Sequence, residues 1–300
     1  MSRRLPTPYD GSARLFQIGV RPLDPTEWIE VDERLPAYLD EKVRLATVHP
    51  DAVFAAEAGT EAAQSEILHL LAEHLPARFP NTYRREGASL AILPADRSVR
   101  LDDPSAAPLE VAARLVQEDL ILLRKRGEAW HVVAGALSFP SSWSLREKLG
   151  RPMHAVHDPV PDFGTGTRNA MMIERMFDHL RPEMPVIRWN WSIYGDDALF
   201  HPESTDPAHR RFGAGERAEA VFMRVERQTL RRLPGSGDIV FTIRIHVDPL
   251  AALEAHLDAA AIAGALVGQL LELDAAQLDY KGLTLERDRL VARLKEIAGA

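Results

Sequence analysis

Cysteine is absent from this 300-residue sequence. Its absence excludes disulfides, thiolate nucleophiles, cysteine-bound zinc and cysteine-ligated iron–sulfur clusters from the chain. Any metal or cofactor must therefore be held by histidine, carboxylate, tyrosine, methionine or backbone groups.

Long apolar runs and a secretory signal are also lacking. The longest uncharged apolar stretch near the C-terminus covers residues 259–271, whereas a membrane-spanning helix needs about 20 residues. The N-terminal residues include Arg3 and Arg4 but are not followed by the apolar core of a signal peptide. These features predict a cytoplasmic protein that makes no use of a membrane.

An excess of positive charge is the third feature that is missing. The formal net charge is -8 and the sequence pI is about 5.8, which argues against a broad nucleic-acid-binding face. The common catalytic signatures HExxH, GxxxxGK[ST] and GxSxG do not occur. Hydrophobic residues make up 46% and charged residues 27%, which is typical of a globular chain with a real core.

Hydrophobic periodicity predicts helices first, then strands, then helices again. Segregation of this kind indicates an α+β fold with an antiparallel sheet of four or five strands, flanked by N-terminal and C-terminal helices. Helices are predicted at 36–48, 52–75 (ended by Pro76), 109–117, 144–149, 168–180 and 251–297, and strands at 119–125, 128–139, 186–194, 220–228 and 238–247.

Three segments divide the chain. Prolines predict that residues 1–25 form an extended arm over the surface. Residues 26–250 form the main domain, and residues 251–300 form C-terminal helices packed on it. An apolar face on these last helices could also bind a partner helix; it consists of Ile262, Leu266, Leu270 and Leu273.

A proline-bracketed segment, residues 148–161, is the first candidate for a functional site. It carries His154 and His157, and prolines fix the direction in which an imidazole is presented. The segment could provide a metal ligand. The alternative is a rigid loop that packs on the sheet, with its histidines hydrogen-bonded to carbonyl groups.

A cluster of arginines at residues 224–232 is the second candidate. Four arginines and Glu226 occur within nine residues between predicted strands, and such a cluster can bind a carboxylate or phosphate. A solvated charged face is the alternative. The nearby aromatic residues Trp189, Trp191 and Tyr194 are usually core and sheet-surface residues.

Taken together, the sequence resembles the alpha subunit of the heme-dependent oxidative N-demethylase (dimethylamine monooxygenase) family. The resemblance covers about residues 25–250. It is carried by an ordered set of landmarks at 28–42 (WIEVDERLPAYLDEK), 75–83 (LPARFPNTY), 116–123 (VQEDLILL), 134–149 (AGALSFPSSWSLREKL), 157–161 (HDPVP), 188–191 (RWNW) and 224–241 (RVERQTLRRLPGSGDIVF).

The resemblance implies a PAS-like sheet that binds heme b and oxidises a small secondary amine. In the family, dimethylamine and O2 react at the heme to give methylamine and formaldehyde. Electrons come from NADPH through flavin and a 2Fe–2S centre on partner reductase polypeptides, and tetrahydrofolate is associated with the complex. The alternatives are a non-catalytic PAS-like protein that binds heme or another small ligand, and an assembly protein built on the C-terminal helices.

The resemblance also implies roles for particular residues. Heme iron needs an axial base, and His157 is the expected ligand, with His154 and His246 as alternatives. Asp158 or a backbone carbonyl would fix the other ring nitrogen. Heme propionates favour arginine, and a secondary ammonium favours a carboxylate or an aromatic face. The expected propionate partners are Arg188, Arg224 and Arg227, and the expected amine partners are Glu226, Asp119, Trp189 and Trp191.

Overall fold

A seven-stranded antiparallel sheet is the centre of the fold. The computed structural model describes residues 5–203 and 210–299, so the first four residues of the predicted arm, six residues of the predicted loop at 195–216 and Ala300 lie outside the description. The ten strands found there are β1 (Arg21–Pro22), β2 (Phe54–Ala56), β3 (Tyr83–Glu86), β4 (Ser89–Ile92), β5 (Arg97–Arg100), β6 (Asp119–Arg126), β7 (Ala129–Ala136), β8 (Val186–Tyr194), β9 (Phe222–Arg232) and β10 (Ile239–Pro249). The order in the large sheet is β1-β8-β9-β10-β6-β7-β2, and β3, β4 and β5 form a small second sheet.

Helices come before, between and after the long strands. This arrangement confirms the α+β prediction with helices at both ends. The helices within the described residues are α1 (Leu35–Val48), α2 (Pro50–Val53), α3 (Glu61–Arg78), α4 (Pro108–Ala113), α5 (Leu145–Lys148), α6 (Met153–Val156), α7 (Arg168–His179), α8 (Leu250–Glu254), α9 (Ala259–Glu272), α10 (Ala275–Lys281) and α11 (Arg287–Ala298).

The large sheet is covered on both faces. On one face, α3, α4 and the small sheet pack over β6, β7 and β10, and the C-terminal helices pack beside them over β8 and β9. On the opposite face, the segment from β7 to α7 packs over the centre of the sheet. The chain thus has three layers, with the large sheet in the middle.

The apolar face of the C-terminal helices packs against the sheet of the same chain. Ile262, Leu266 and Leu270 are buried in one core with Trp191 and Val225, which accounts for the face without a partner helix. Among the described residues, no single helix has both the length and the apolar composition for crossing a membrane; α9 and α10 meet these two criteria only as a pair, which is bent by 118°.

Three sequence predictions about elements were wrong. The predicted helix at 52–75 is interrupted by the strand β2, and α3 continues through Pro76 to Arg78. The proline is tolerated because only the last turn of the helix follows it. The sheet has seven strands, not four or five, because two short edge strands carry little periodic signal.

The predicted arm is more than a surface covering. Tyr9 is fully buried, and its ring contacts that of Trp191 edge-on at 6.1 Å between centroids. Further along, Arg21 and Pro22 pair with the start of β8. The arm therefore contributes to the core and to one edge of the sheet.

The half-buried imidazole of His74 predicts how stability depends on pH. His74 lies on α3 beside Trp28, and burial, with the nearby Arg231, lowers its pKa to about 4. The unfolded chain binds this proton near pH 6.5, so stability is lost as the pH falls from 6.5 towards 4. Between pH 6.5 and 4 we expect the free energy of unfolding of His74→Phe to fall by about 1–2 kcal/mol less than that of the wild type, after allowance for solvent screening.

Urea unfolding at pH 7 and pH 4.5 measures this difference. The matched control is His69→Phe, which replaces an exposed histidine of the same helix and is measured at the same two pH values. A His74→Phe protein with the pH dependence of the wild type would contradict the prediction.

Candidate functional site

A cavity of about 430 Å³ lies between the large sheet and the segment that covers it. Its floor is formed by side chains of β6, β8, β9 and β10, and its roof by residues 141–177. Phe16, Ile18 and Val20 of the arm and residues 279–281 of α10 close one side. This volume is within the range of about 300–1,000 Å³ for small-molecule and cofactor sites.

The alternation of side chains along β8 and β9 gives the cavity a polar half. Arg188 and Asn190 point into it from β8, and Glu226 and Gln228 from β9. The register pairs Arg188 with Gln228 and Asn190 with Glu226. The Nδ2 of Asn190 and the Nε2 of Gln228 donate to Oε2 of Glu226 at 3.3 and 2.5 Å.

The other half of the cavity is apolar. Buried and half-buried apolar side chains from the sheet floor meet others from α7 and the loop before it, including Ile121, Leu123, Leu230, Phe241, Phe163 and Phe177. Gly135 allows the roof to come this close, because a Cβ there would lie 2.6 Å from Cδ1 of Leu145 and 2.9 Å from Cδ1 of Ile121.

His157 lines the cavity from the end of α6. Its Nδ1 lies 2.9 Å from the carbonyl oxygen of Met153, and because a carbonyl only accepts, Nδ1 carries the proton. Burial lowers the pKa of His157 to about 4, so the ring is neutral at physiological pH. Its Nε2 therefore holds a free lone pair, which is the form that ligates a metal.

The ring nitrogen of His157 that faces away from a ligand was expected to be fixed by Asp158 or by a backbone carbonyl. The backbone carbonyl of Met153 accepts this hydrogen bond. The carboxylate of Asp158 instead accepts from the backbone N–H and the hydroxyl of Thr165 at 2.8 Å. His154 lies on the same short helix but does not line the cavity. Of the two histidines in the proline-bracketed segment, only His157 is presented to the cavity.

Two cations border the polar half. Lys281 is buried, and its Nζ donates to the carbonyl oxygen of Trp191 at 2.7 Å. Burial lowers the pKa of Lys281 to about 8, against the opposing effect of Glu226. Burial also lowers the pKa of Arg188. Tyr280 lies beside Lys281, and burial raises its pKa to about 12, so its phenol stays protonated.

Arg224 has its guanidinium fully engaged in holding the cavity wall. Its nitrogens donate to the hydroxyl of Ser141 and to four backbone carbonyls. Two of these belong to Phe139 and Pro140, on the loop leading to the roof, and lie at 2.9 and 3.1 Å. The residue is buried and does not line the cavity. The geometry thus gives Arg224 a role in fixing the wall, not in binding a ligand.

Asp119 supports the same loop from the other side. Its carboxylate accepts from the backbone N–H groups of Ser138 and Phe139 at 2.7 and 2.9 Å, and Nζ of Lys42 lies 4.0 Å away. Burial raises its pKa to about 6, so it is charged at neutral pH. Asp119 is also outside the cavity lining.

The remaining predicted residues lie on the opposite face of the sheet from His157. Arg227 donates to the backbone carbonyls of Glu27 and Trp28. The Nε2 of His246 lies 3.2 Å from Oε2 of Glu30, and Trp191 is buried under the C-terminal helices. Because side chains alternate between the two faces of a strand, these predicted residues are separated from the cavity. They are Arg227, His246, Trp189 and Trp191.

Sequence reasoning missed several polar groups of the cavity, among them Asn190, Gln228, Tyr280 and Lys281. Asn190 and Gln228 share the strand parity of Arg188 and Glu226, so the alternation of β8 and β9 could have identified them. Tyr280 and Lys281 carry no local signal, because only the packing of α10 brings them to the sheet. No group of three or more histidine or acidic side chains arranged to hold a metal ion occurs in residues 5–203 and 210–299.

Comparison with protein families places most of the chain in a known family. The family model described as "Haem-dependent oxidative N-demethylase, alpha subunit-like" matches residues 19–291 of the chain. The matched region contains every strand of the large sheet and every residue of the cavity lining except Phe16 and Ile18.

The wall contacts of Arg224 lead to a stability prediction. Arg224→Met removes the guanidinium donor from four carbonyl groups, of which that of Pro140 still accepts from the backbone N–H of His201. We expect a loss of roughly 3 kcal/mol or more in the free energy of unfolding. Arg224→Lys should recover little of this, because one ammonium group lacks the five directed N–H donors of a guanidinium.

Urea unfolding of both variants tests this prediction. Arg175→Met serves as the control, since Arg175 is exposed on α7 and its loss should change stability by at most about 0.5 kcal/mol. Wild-type stability in Arg224→Met would show that the five hydrogen bonds contribute nothing to the wall.

Proposed function

Because the chain belongs to the family of haem-dependent oxidative N-demethylase alpha-subunit-like proteins, we propose that it is the heme-binding oxygenase subunit of such an enzyme. Its reaction is the oxidative N-demethylation of a small secondary amine such as dimethylamine. The observation that carries the proposal is the neutral imidazole of His157, which lines a partly apolar cavity while its Nδ1 donates to the carbonyl of Met153.

The residues present fit heme b. His157 would hold the iron through Nε2, while the carbonyl of Met153 keeps the ring in the required tautomer and orientation. The apolar half suits a flat, largely hydrophobic macrocycle. When bound, the heme supplies the activation of O2 that amine oxidation needs.

The amine is proposed to bind in the polar half beside Glu226. Asn190 and Gln228 hold the carboxylate in place through Oε2, and the second oxygen can accept from a secondary ammonium. Arg188 faces the same space and is the one of the three predicted arginines that we retain as a partner for a negatively charged group. The roof excludes water from the reacting methyl group.

Electrons are proposed to come from a partner reductase subunit. The chain has no cysteine for a 2Fe–2S cluster and no nucleotide-binding motif, so flavin, the cluster and NADPH are assigned to other subunits. A cytoplasmic location fits this assembly. We also propose that the five long strands of the large sheet, β6 to β10, form a PAS-like sheet.

A non-catalytic heme-binding or small-ligand-binding role is the second candidate. It is favoured by the hydrogen bonds that Glu226 already accepts within the protein, since a carboxylate held in this way can be purely structural. Heme binding without turnover of any secondary amine, in the presence of a competent reductase, would support this candidate over the enzyme.

Replacement of the proposed iron ligand gives a direct test. We expect His157→Ala to lose the Soret band that the wild type shows with heme, because its Nε2 is the proposed axial base. The measurement is an absorption titration with hemin. His154→Ala is the matched control and should keep the band. An unchanged Soret band in His157→Ala would remove the basis of the proposal.

Replacement of the proposed amine partner separates binding from heme chemistry. Glu226→Gln keeps the shape but removes the charge, and we expect the KM for the amine to rise by at least about ten-fold, the effect of one charge-assisted hydrogen bond. The Soret band should stay at the wild-type position. Glu272→Gln, an exposed residue of α9, is the control; an unaltered KM in Glu226→Gln would place the amine elsewhere.

A further inference from the structure

The guanidinium of Arg188 is incompletely satisfied in the cavity. Its Nη2 donates to the carbonyl of Gln17 at 3.3 Å, whereas its Nε is buried and has no hydrogen-bond partner among residues 5–203 and 210–299. A buried N–H donor without a partner costs free energy. An acceptor that enters the cavity from outside the chain would remove this cost.

Lys281 brings a second positive charge to the same strand. Its Nζ donates to Oδ1 of Asn190 and Oγ of Ser192, both at 3.3 Å, and to the carbonyl of Trp191. All three acceptors are uncharged. Its ammonium is thus held in position against β8, while its charge is not neutralised by a hydrogen-bonded carboxylate among the described residues.

The polar end of the cavity carries more positive than negative charge. Glu226 is the carboxylate whose charge acts on both cations, and its Oε2 accepts from the amides of Asn190 and Gln228. Two further carboxylates line the cavity, but Glu147 is exposed and Asp279 accepts from the hydroxyl of Thr284. A buried ammonium and a half-buried guanidinium therefore face one carboxylate that is already hydrogen-bonded.

We propose that Arg188 and Lys281 form a carboxylate-binding subsite at the polar end of the cavity. A planar carboxylate suits the N–H edge of a guanidinium and the point charge of an ammonium together. The carboxylate can belong to a heme propionate or to the substrate. In the second case the substrate class is an N-methylated amino acid, with its ammonium at Glu226. The choice between these sources rests on the proposed function.

Binding measurements on the purified full chain test the subsite. Wild type, Arg188→Met and Lys281→Met are titrated with ferric heme and with its dimethyl ester, which lacks the propionate charges, and the Soret band is followed. The heme-loaded proteins are then titrated with sarcosine and with dimethylamine, and the spectral shift is followed. Arg175→Met and Lys295→Met, both exposed, are the matched controls.

Two results support the subsite and identify the source of the carboxylate. If it is a propionate, both variants bind heme about ten- to a hundred-fold more weakly, and all proteins bind the ester equally. If it belongs to the substrate, heme affinity is unchanged while sarcosine binding weakens by a similar factor and dimethylamine binding does not. Wild-type affinities for all four ligands in both variants would overturn the subsite.

Failure of the proposed function gives a different result. If the wild type binds neither heme nor its ester, the heme assignment fails, and calorimetry with acetate and sarcosine on the heme-free protein then decides the subsite. Weaker binding in both variants supports it, and no binding to the wild type overturns it. If Lys281→Met does not fold, Arg188→Met decides alone, because Arg188 donates a single hydrogen bond within the structure.

Discussion

The two-residue alternation of side chains along β8 and β9 is the constraint on which the rest of the structure depends. It places Arg188 and Glu226 in the cavity. On the opposite face it places Trp191 under the C-terminal helices and Arg227 against the backbone of residues 27 and 28. A shift of one residue in either strand would exchange these sets, burying aromatic rings where the cavity now holds charges. The same pairing therefore sets both the core and the chemistry.

Buried charges hold the cavity wall in one conformation. Arg224 binds the loop after β7 through its carbonyl groups, and Asp119 binds the same loop through its N–H groups. A loop fixed from both sides positions the roof relative to the floor. A rigid cavity of this kind binds a cofactor at a lower entropic cost than one that must be ordered on binding.

The sequence predicts elements well where their pattern is long. The prediction of β8 agrees with its observed bounds at both ends, and the hairpin of β6 and β7 turns at Gly127, whose positive φ of 58° suits glycine. The three-residue strand β2 lies within a run that has a helical period, so local signals misassign it.

The candidate site was predictable only in part. His157 is marked by the prolines around it, and it lines the cavity. The sequence presents the arginines at 224–232 as one cluster, but side chains along a strand alternate between the two faces of a sheet. The cluster is therefore divided between the two faces. Lys281 could not be found from the sequence, because its approach to β8 is decided by the packing of a helix that is distant along the chain.

The outer strands of the large sheet are unusually short. β1 has two residues, one of them Pro22, and β2 has three. Lys281 further occupies the carbonyl of Trp191 on β8. The outermost strands thus offer a strand of another molecule only two or three residues to pair with, and one of these is a proline that has no N–H to donate. Very short edge strands are one of the ways in which a folded sheet protein avoids edge-to-edge aggregation when it is concentrated.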